Sequence, residues 1–207
     1  MLLSQVTPTL FLSGADAPFN AALMSQKGIT LIVNATLSHA CPAYPGVECV
    51  RVPVCDLPSA RLGEHFDRVA ERIHGNHAGG TLVHCAAGLS RSPALVMAYL
   101  MRFRGVTLCQ AHRWVQKSRP FICLNAGFWE QLLLYERRLY GRNTVWVEPE
   151  RAGPTQTTPT PQNSWLKVIP RSPAMTRTPV MSRAKVMSPK VSRRGSMMST
   201  NCPRKQV

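Results

Sequence analysis

Acidic side chains are scarce in this chain: 10 Asp and Glu stand against 25 Lys and Arg, and no acid lies beyond Glu150. The imbalance is local. Residues 1–150 hold 14 of the basic residues and every acid, whereas residues 151–207 hold 11 basic residues and no acid. Long apolar runs are also lacking, so nothing in the sequence is expected to span a bilayer. The opening Leu2-Leu3 has no charged flank and breaks at Ser4-Gln5 and Pro8, which is unlike an export signal. The seven cysteines (Cys41, Cys49, Cys55, Cys85, Cys109, Cys123 and Cys202) include no CxxC pair, and no His/Cys cluster has zinc-ligand spacing. Neither a metal nor a cofactor is expected. An odd number of cysteines without such spacing reads as free thiols in a reducing compartment, cytoplasmic or nuclear rather than secreted.

A chain of 207 residues with 44% hydrophobic content supports one core and hardly two. That core is expected within residues 1–147. Residues 6–13 read as a first strand, and residues 17–27 as a short helix stopped by Gly28. Thr30–Val33, Val50–Val54 and Thr81–His84 are short β-branched runs between turn formers, the pattern of buried strands. A helix over Gly63–His74 places Phe66, Val69, Ala70 and Ile73 on one face. After residue 90 only helices follow: Ala94–Phe103, a second one capped by Thr107 and ending before Pro120, and Gly127–Tyr140. Trp114, Phe128, Trp129 and Tyr135 fall at helical spacings and read as core. Glu64 and Asp67 read as solvated surface. Strands alternating with helices, then helices alone, define an α/β class: a central sheet flanked by helices.

Residues 148–207 differ in kind. From Arg151 onward 57 positions hold 8 prolines, 14 Ser/Thr and 11 basic residues. Such a segment cannot bury enough apolar surface to offset its ordering entropy, so a disordered tail is expected. Its basic clusters, Arg183-Ala184-Lys185, Arg193-Arg194 and Arg204-Lys205, suit nucleic acid, a nuclear address or an anionic membrane, or simple solvation. Ser172-Pro173, Thr178-Pro179 and Ser188-Pro189 suit proline-directed kinases, and Arg193-Arg194-Gly195-Ser196 a basophilic one.

The chemistry concentrates at His84-Cys85-Ala86-Ala87-Gly88-Leu89-Ser90-Arg91-Ser92, between a strand and a helix. That placement aims backbone N–H groups and the positive end of the helix dipole at one point. Gly88 lets the backbone curl, and the Arg91 fork can hold two oxygens of a phosphate. The same field favours Cys85 as a thiolate, the nucleophilic form. One loop therefore binds a dianion and presents a nucleophile beneath it, which is what phosphomonoester hydrolysis through a phosphocysteine requires. Expelling the alkoxide or phenolate needs a proton donor, and Asp56, in Val54-Cys55-Asp56-Leu57-Pro58, is the candidate.

VPVCDLPSARL, TLVHCAAGLSRSPALVMAYLM, AHRWVQKSRP and NAGFWEQLLLYERRLYG resemble the atypical dual-specificity protein phosphatases, the small subgroup with a catalytic domain alone. The resemblance covers about residues 5–147 and implies a phosphotyrosine-phosphatase-like fold. It assigns Cys85 as nucleophile, Arg91 as phosphate ligand and Asp56 as general acid and then base. Ala86, Ala87, Gly88, Leu89 and Ser90 complete the phosphate loop, with His84 ordering it by hydrogen bonding and Ser92 assisting the thiolate. Asn125 corresponds to the asparagine that braces the loop, although Leu124 stands where relatives usually carry proline. A domain too short for the pocket-deepening loop of the tyrosine-specific branch implies activity on phosphotyrosine, phosphoserine and phosphothreonine. The implied partners are phosphoprotein substrates, signalling kinases among them. Rhodanese-like sulfur transfer, lipid or RNA phosphatase activity, and a phosphoprotein-binding pseudophosphatase are the alternatives. Neutral Ala86 and Ala87 disfavour a highly charged lipid, and rhodanese chemistry would not specify Asp56.

Overall fold

A computed structural model describes residues 3–149 and 166–171, which fall in one unit spanning Met1–Ser172. Strands are β1 (Leu3–Thr7), β2 (Leu10–Ser13), β3 (Ile29–Asn34), β4 (Glu48–Arg51) and β5 (Gly80–His84). They form one sheet in the order β1-β2-β5-β3-β4, antiparallel at β1–β2 and parallel elsewhere. The helices are α1 (Ala21–Gln26), α2 (Phe66–Gly75), α3 (Arg91–Arg104), α4 (Leu108–Ser118) and α5 (Ala126–Tyr140).

Side chains on a strand alternate between faces, and here the two faces have separate cores. Phe11, Ile32 and Leu82 pack on the α1 side with Met24. Leu10, Leu12, Leu31, Val33 and Val83 point the other way, into the larger core built with α2, α3, α4 and α5. The α3 helix crosses that core with all residues from Arg91 to Met101 buried. Its apolar composition matches that position, since a helix surrounded by protein needs no polar face. It ends at Gly105, whose φ of 66° is the left-handed conformation glycine adopts most readily. The expected face of α2 is buried, and Thr107 caps α4 through a capping box with Gln110.

Four expectations need correction. The single strand over 6–13 is a hairpin, because Pro8 lacks the N–H that a continuous ladder requires and the chain turns there. Likewise, the run Val50–Val54 leaves the ladder after Arg51, just before Pro53. Trp114 is 37% exposed, its indole N–H donating to Val6 O at 2.8 Å, whereas Phe128, Trp129 and Tyr135 are core. Finally, the cysteines are not all free: Cys41 and Cys49 form a disulfide, while Cys55, Cys85, Cys109 and Cys123 are free thiols. Eight residues separate the two, and only the return of the β3–β4 connection onto β4 brings their Cα atoms to 6.2 Å.

Asp67 departs from the expected solvated role, and Glu136, which no local signal singles out, is also bound into the fold. Asp67 accepts hydrogen bonds from Tyr135, Arg102 and Arg138, tying α2 to α3 and α5. Burial alone would raise its pKa, but the Tyr135 and Arg138 hydrogen bonds and the Arg138 and Arg102 charges hold the carboxyl below the usual range. Glu136 is fully buried and accepts from Leu108 N, Thr144 N and Thr144 Oγ1, fastening the start of α4 and the chain after α5 to one carboxylate.

Within the segment read as tail, the described residues Leu166–Pro170 are a strand. These residues form β7, antiparallel to β6 (Val145–Pro149). Val168 and Ile169 are β-branched residues, rare in that tail, and the ladder pairs their backbones with Val147 and Trp146. The Arg171 guanidinium covers the Trp146 ring at 3.5 Å. The rest of the segment read as tail, with its basic clusters and kinase sites, lies outside the described residues. Among the described residues no helix is long and apolar enough to cross a membrane, and no cluster of His, Cys, Asp and Glu could hold a metal ion.

Candidate active site

The site forms where β5 ends and α3 begins. His84 is the last residue of the central strand, Arg91 the first of the buried helix, and residues 85–90 loop between them. Cys85 Sγ lies at the centre, 1% exposed by residue, with Gly88 N donating to it at 3.2 Å and Ser92 Oγ at 3.3 Å. Gly88 has φ of 74°, and a Cβ there would meet Ser13 O at 2.5 Å. The position therefore requires glycine for conformation and for space.

Arg91 is 8% exposed. Its Nη1 donates to Val54 O at 3.1 Å, on the segment leading to Asp56. Its Nε is buried without a hydrogen-bond partner among the described residues and pairs with the Asp56 charge, Oδ2 being 3.6 Å away. A buried guanidinium held by one edge at the start of α3 is suited to an incoming oxyanion.

Asp56 is brought to the same place from the loop after β4. Its Oδ1 accepts from Ser90 Oγ at 2.7 Å and from Asn125 Nδ2 at 2.8 Å. Asn125 Oδ1 also accepts from Phe128 N, capping α5. Asn125 thus braces Asp56 rather than the phosphate loop, a correction to the sequence expectation. The loop is reached instead by the preceding backbone, with Cys123 N donating to Leu89 O at 2.8 Å. Burial, with the Asp56 charge adding to it, pushes the Cys123 thiol up.

Behind this arrangement α5 begins at close quarters. A Cβ on Gly127 would lie 1.9 Å from Pro58 O, two residues beyond Asp56. Gly127→Ala is therefore expected to push the Asp56 loop outward. It should lower turnover by about tenfold, most of all on substrates with poor leaving groups, as misplaced catalytic groups do. Steady-state rates on a series of aryl phosphates, with a thermal-unfolding control, check this.

His84 is fully buried, and neither ring nitrogen has a hydrogen-bond partner among the described residues. The ring is a neutral group, and its polar influence on the loop runs through the adjoining Cys85 backbone. Burial lowers its pKa from 6.5 to about 4, reinforced by His39 and opposed by the Cys85 backbone. Between those values the unfolded chain takes up a proton that the folded chain refuses. Stability should accordingly fall as pH drops from 6.5 towards 4, by about 3 kcal/mol in total from this group. Thermal midpoints across that range should fall with a slope that His84→Met reduces. An unchanged slope in a folded variant would show that other groups carry the acid sensitivity.

Sequence reasoning missed Arg119. Its Nε donates to Gly88 O at 2.7 Å and its Nη2 to Ala87 O at 2.9 Å, so it touches the phosphate loop from outside. The residue stood in view within the SRP triplet, but nothing in its local spacing connects it to a loop some thirty residues earlier.

A thiol contacted by one N–H and one hydroxyl, and a buried guanidinium beside a carboxylate, gather past the C-terminal end of β5, an arrangement suited to phosphate chemistry at a cysteine. Comparison with known proteins agrees. Residues 10–138 match the family described as dual specificity phosphatase, catalytic domain. Mouse dual specificity protein phosphatase 18 is 48% identical over 145 residues, covering 69% of this chain and 77% of the mouse protein. Human dual specificity protein phosphatase 14 is also 48% identical over 145 residues, covering 69% of this chain and 73% of its own length. The crystal structure of human DUSP28 superposes with a TM-score of 0.65 at 38% identity, covering 67% of this chain and 95% of that one. The chain belongs to the dual specificity phosphatase family, and it is a protein phosphatase.

Proposed function

We propose that the chain removes phosphate from phosphotyrosine and from phosphoserine or phosphothreonine in proteins through a phosphocysteine on Cys85. The observation that carries the reading is the pair of donors on one sulfur, Gly88 N and Ser92 Oγ, at the base of a loop whose far end carries the buried Arg91 guanidinium next to Asp56.

In the first step the Cys85 thiolate attacks phosphorus as the P–O bond to the substrate breaks. The loop N–H groups of residues 86–91 and the Arg91 guanidinium receive the charge on the non-bridging oxygens. Asp56, protonated, gives its proton to the departing oxygen. Because Oδ1 already accepts two hydrogen bonds, Oδ2 is the oxygen that carries the proton. In the second step Asp56, now a carboxylate, takes a proton from water as that water attacks phosphorus. The S–P bond breaks, inorganic phosphate leaves, and the Ser92 hydroxyl stabilises the departing thiolate.

Cys85 works only as a free thiolate, which oxidation would consume, and phosphorylated signalling proteins are the substrates this reading gives it. The test compares the full chain on phosphotyrosine peptides, phosphothreonine peptides and a generic aryl phosphate. Cleavage of both peptide classes supports the reading. Phosphate binding without turnover of any of the three would replace it with a phosphoprotein-binding role.

A further inference from the structure

A loop binds an oxyanion only while its N–H groups face inward. In a planar trans peptide the C=O of one residue and the N–H of the next point in opposite directions. Holding a carbonyl outside the loop therefore turns the following N–H inside. Each of four successive loop carbonyls is held in this way. Ala86 O accepts from Ala15 N at 3.0 Å and Leu89 O from Cys123 N at 2.8 Å. Between them, Ala87 O and Gly88 O both accept from one side chain, the Arg119 guanidinium.

We propose that Arg119 is a positioning residue for phosphate binding, its guanidinium holding the Ala87 and Gly88 carbonyls outward so that the Gly88 and Leu89 N–H groups face the bound oxyanion. The inference rests on the reading of residues 85–91 as the phosphate site. Its first consequence is already visible, since Gly88 N points inward to Cys85 Sγ. The ends of the loop are held by backbone donors whose positions follow from the fold. The middle depends on a side chain brought in from the end of α4.

Arginine suits the task where lysine does not, because a planar fork grips two acceptors at once and an ammonium is a point charge. The fork is itself anchored: Nη1 donates to Ser4 Oγ at 3.3 Å, on a serine only 3% exposed in β1. Space is tight as well, for a Cβ on Gly88 would come within 2.8 Å of Arg119 Nη2. Burial lowers the Arg119 pKa, and the Cys85 charge opposes that.

The test uses the full chain with Arg119→Lys and Arg119→Ala. Tungstate, a tetrahedral oxyanion, is titrated by calorimetry, and kcat and KM are measured on an aryl phosphate. Both variants are expected to bind tungstate about ten- to a hundredfold more weakly, the scale of one charge-assisted hydrogen-bond pair. Arg119→Lys should lie nearer Arg119→Ala than wild type, and added ethylguanidinium should restore affinity to Arg119→Ala. If Arg119→Ala does not fold, Arg119→Lys carries the comparison, since it keeps the stem and the charge. Folded variants that bind tungstate like wild type would overturn the proposal, as would full rescue by lysine, which would make charge rather than geometry the cause. Failure of wild type to bind tungstate at all would overturn the phosphate-site reading itself, a result distinct from either.

Discussion

Cys85→Ser is expected to lower turnover of every phosphomonoester by at least about 10⁴-fold, the scale on which loss of a covalent nucleophile acts. The serine hydroxyl would occupy the same buried centre and keep the contacts of Gly88 N and Ser92 Oγ. It is a poor nucleophile there, because the loop that stabilises a thiolate does not ionise an alcohol. Oxyanion binding should survive, and should strengthen, since the neutral hydroxyl removes one negative charge from beneath a dianion. Calorimetric titration with tungstate, beside steady-state rates, separates the two effects. A variant that kept a tenth of wild-type turnover would place the nucleophile elsewhere.

Asp56→Asn is expected to cost about 10²- to 10⁴-fold, the range for loss of general acid–base catalysis. The size of the loss should follow the leaving group. A nitrophenolate departs without a proton, so its cleavage should suffer least, while phosphoserine and phosphothreonine, whose alkoxides are poor leaving groups, should suffer most. The amide can still accept from Ser90 Oγ and Asn125 Nδ2, so the loop stays in place and the change isolates the proton. A uniform loss across all leaving groups would instead show that Asp56 acts by orienting Arg91.

The Cys85–Arg91 segment stood out in the sequence because its signal is local, whereas Asp56 was read only in the light of that segment. A cysteine six residues before an arginine, with glycine between, on a strand-to-helix junction, satisfies its geometry within one short segment. The same holds for α2 and for the Thr107 cap, whose determinants lie within a turn or two. What escaped depends on contacts far apart along the chain. Arg119 meets Gly88 across 31 positions, and Asn125 meets Asp56 across 69. Whether that asparagine braces the loop or the acid is decided by where α5 docks. Nothing local marks Glu136, and only the arrival of Leu108 and Thr144 makes it a buried acceptor. The Cys41–Cys49 disulfide and the pairing of β7 with β6 are similarly products of chain return, to which local spacing is blind.

The measurement nearest to the central claim is the covalent intermediate itself. Wild-type protein mixed with an aryl phosphate, quenched in acid during turnover and digested, would be read by mass spectrometry. The mechanism requires one added phosphoryl group on the peptide that contains Cys85, absent from Cys85→Ser and more abundant in Asp56→Asn if removal of the base slows the second step more than the first. Rapid turnover with no phosphoryl group on that peptide, or with the group on another residue, would contradict a phosphocysteine at Cys85.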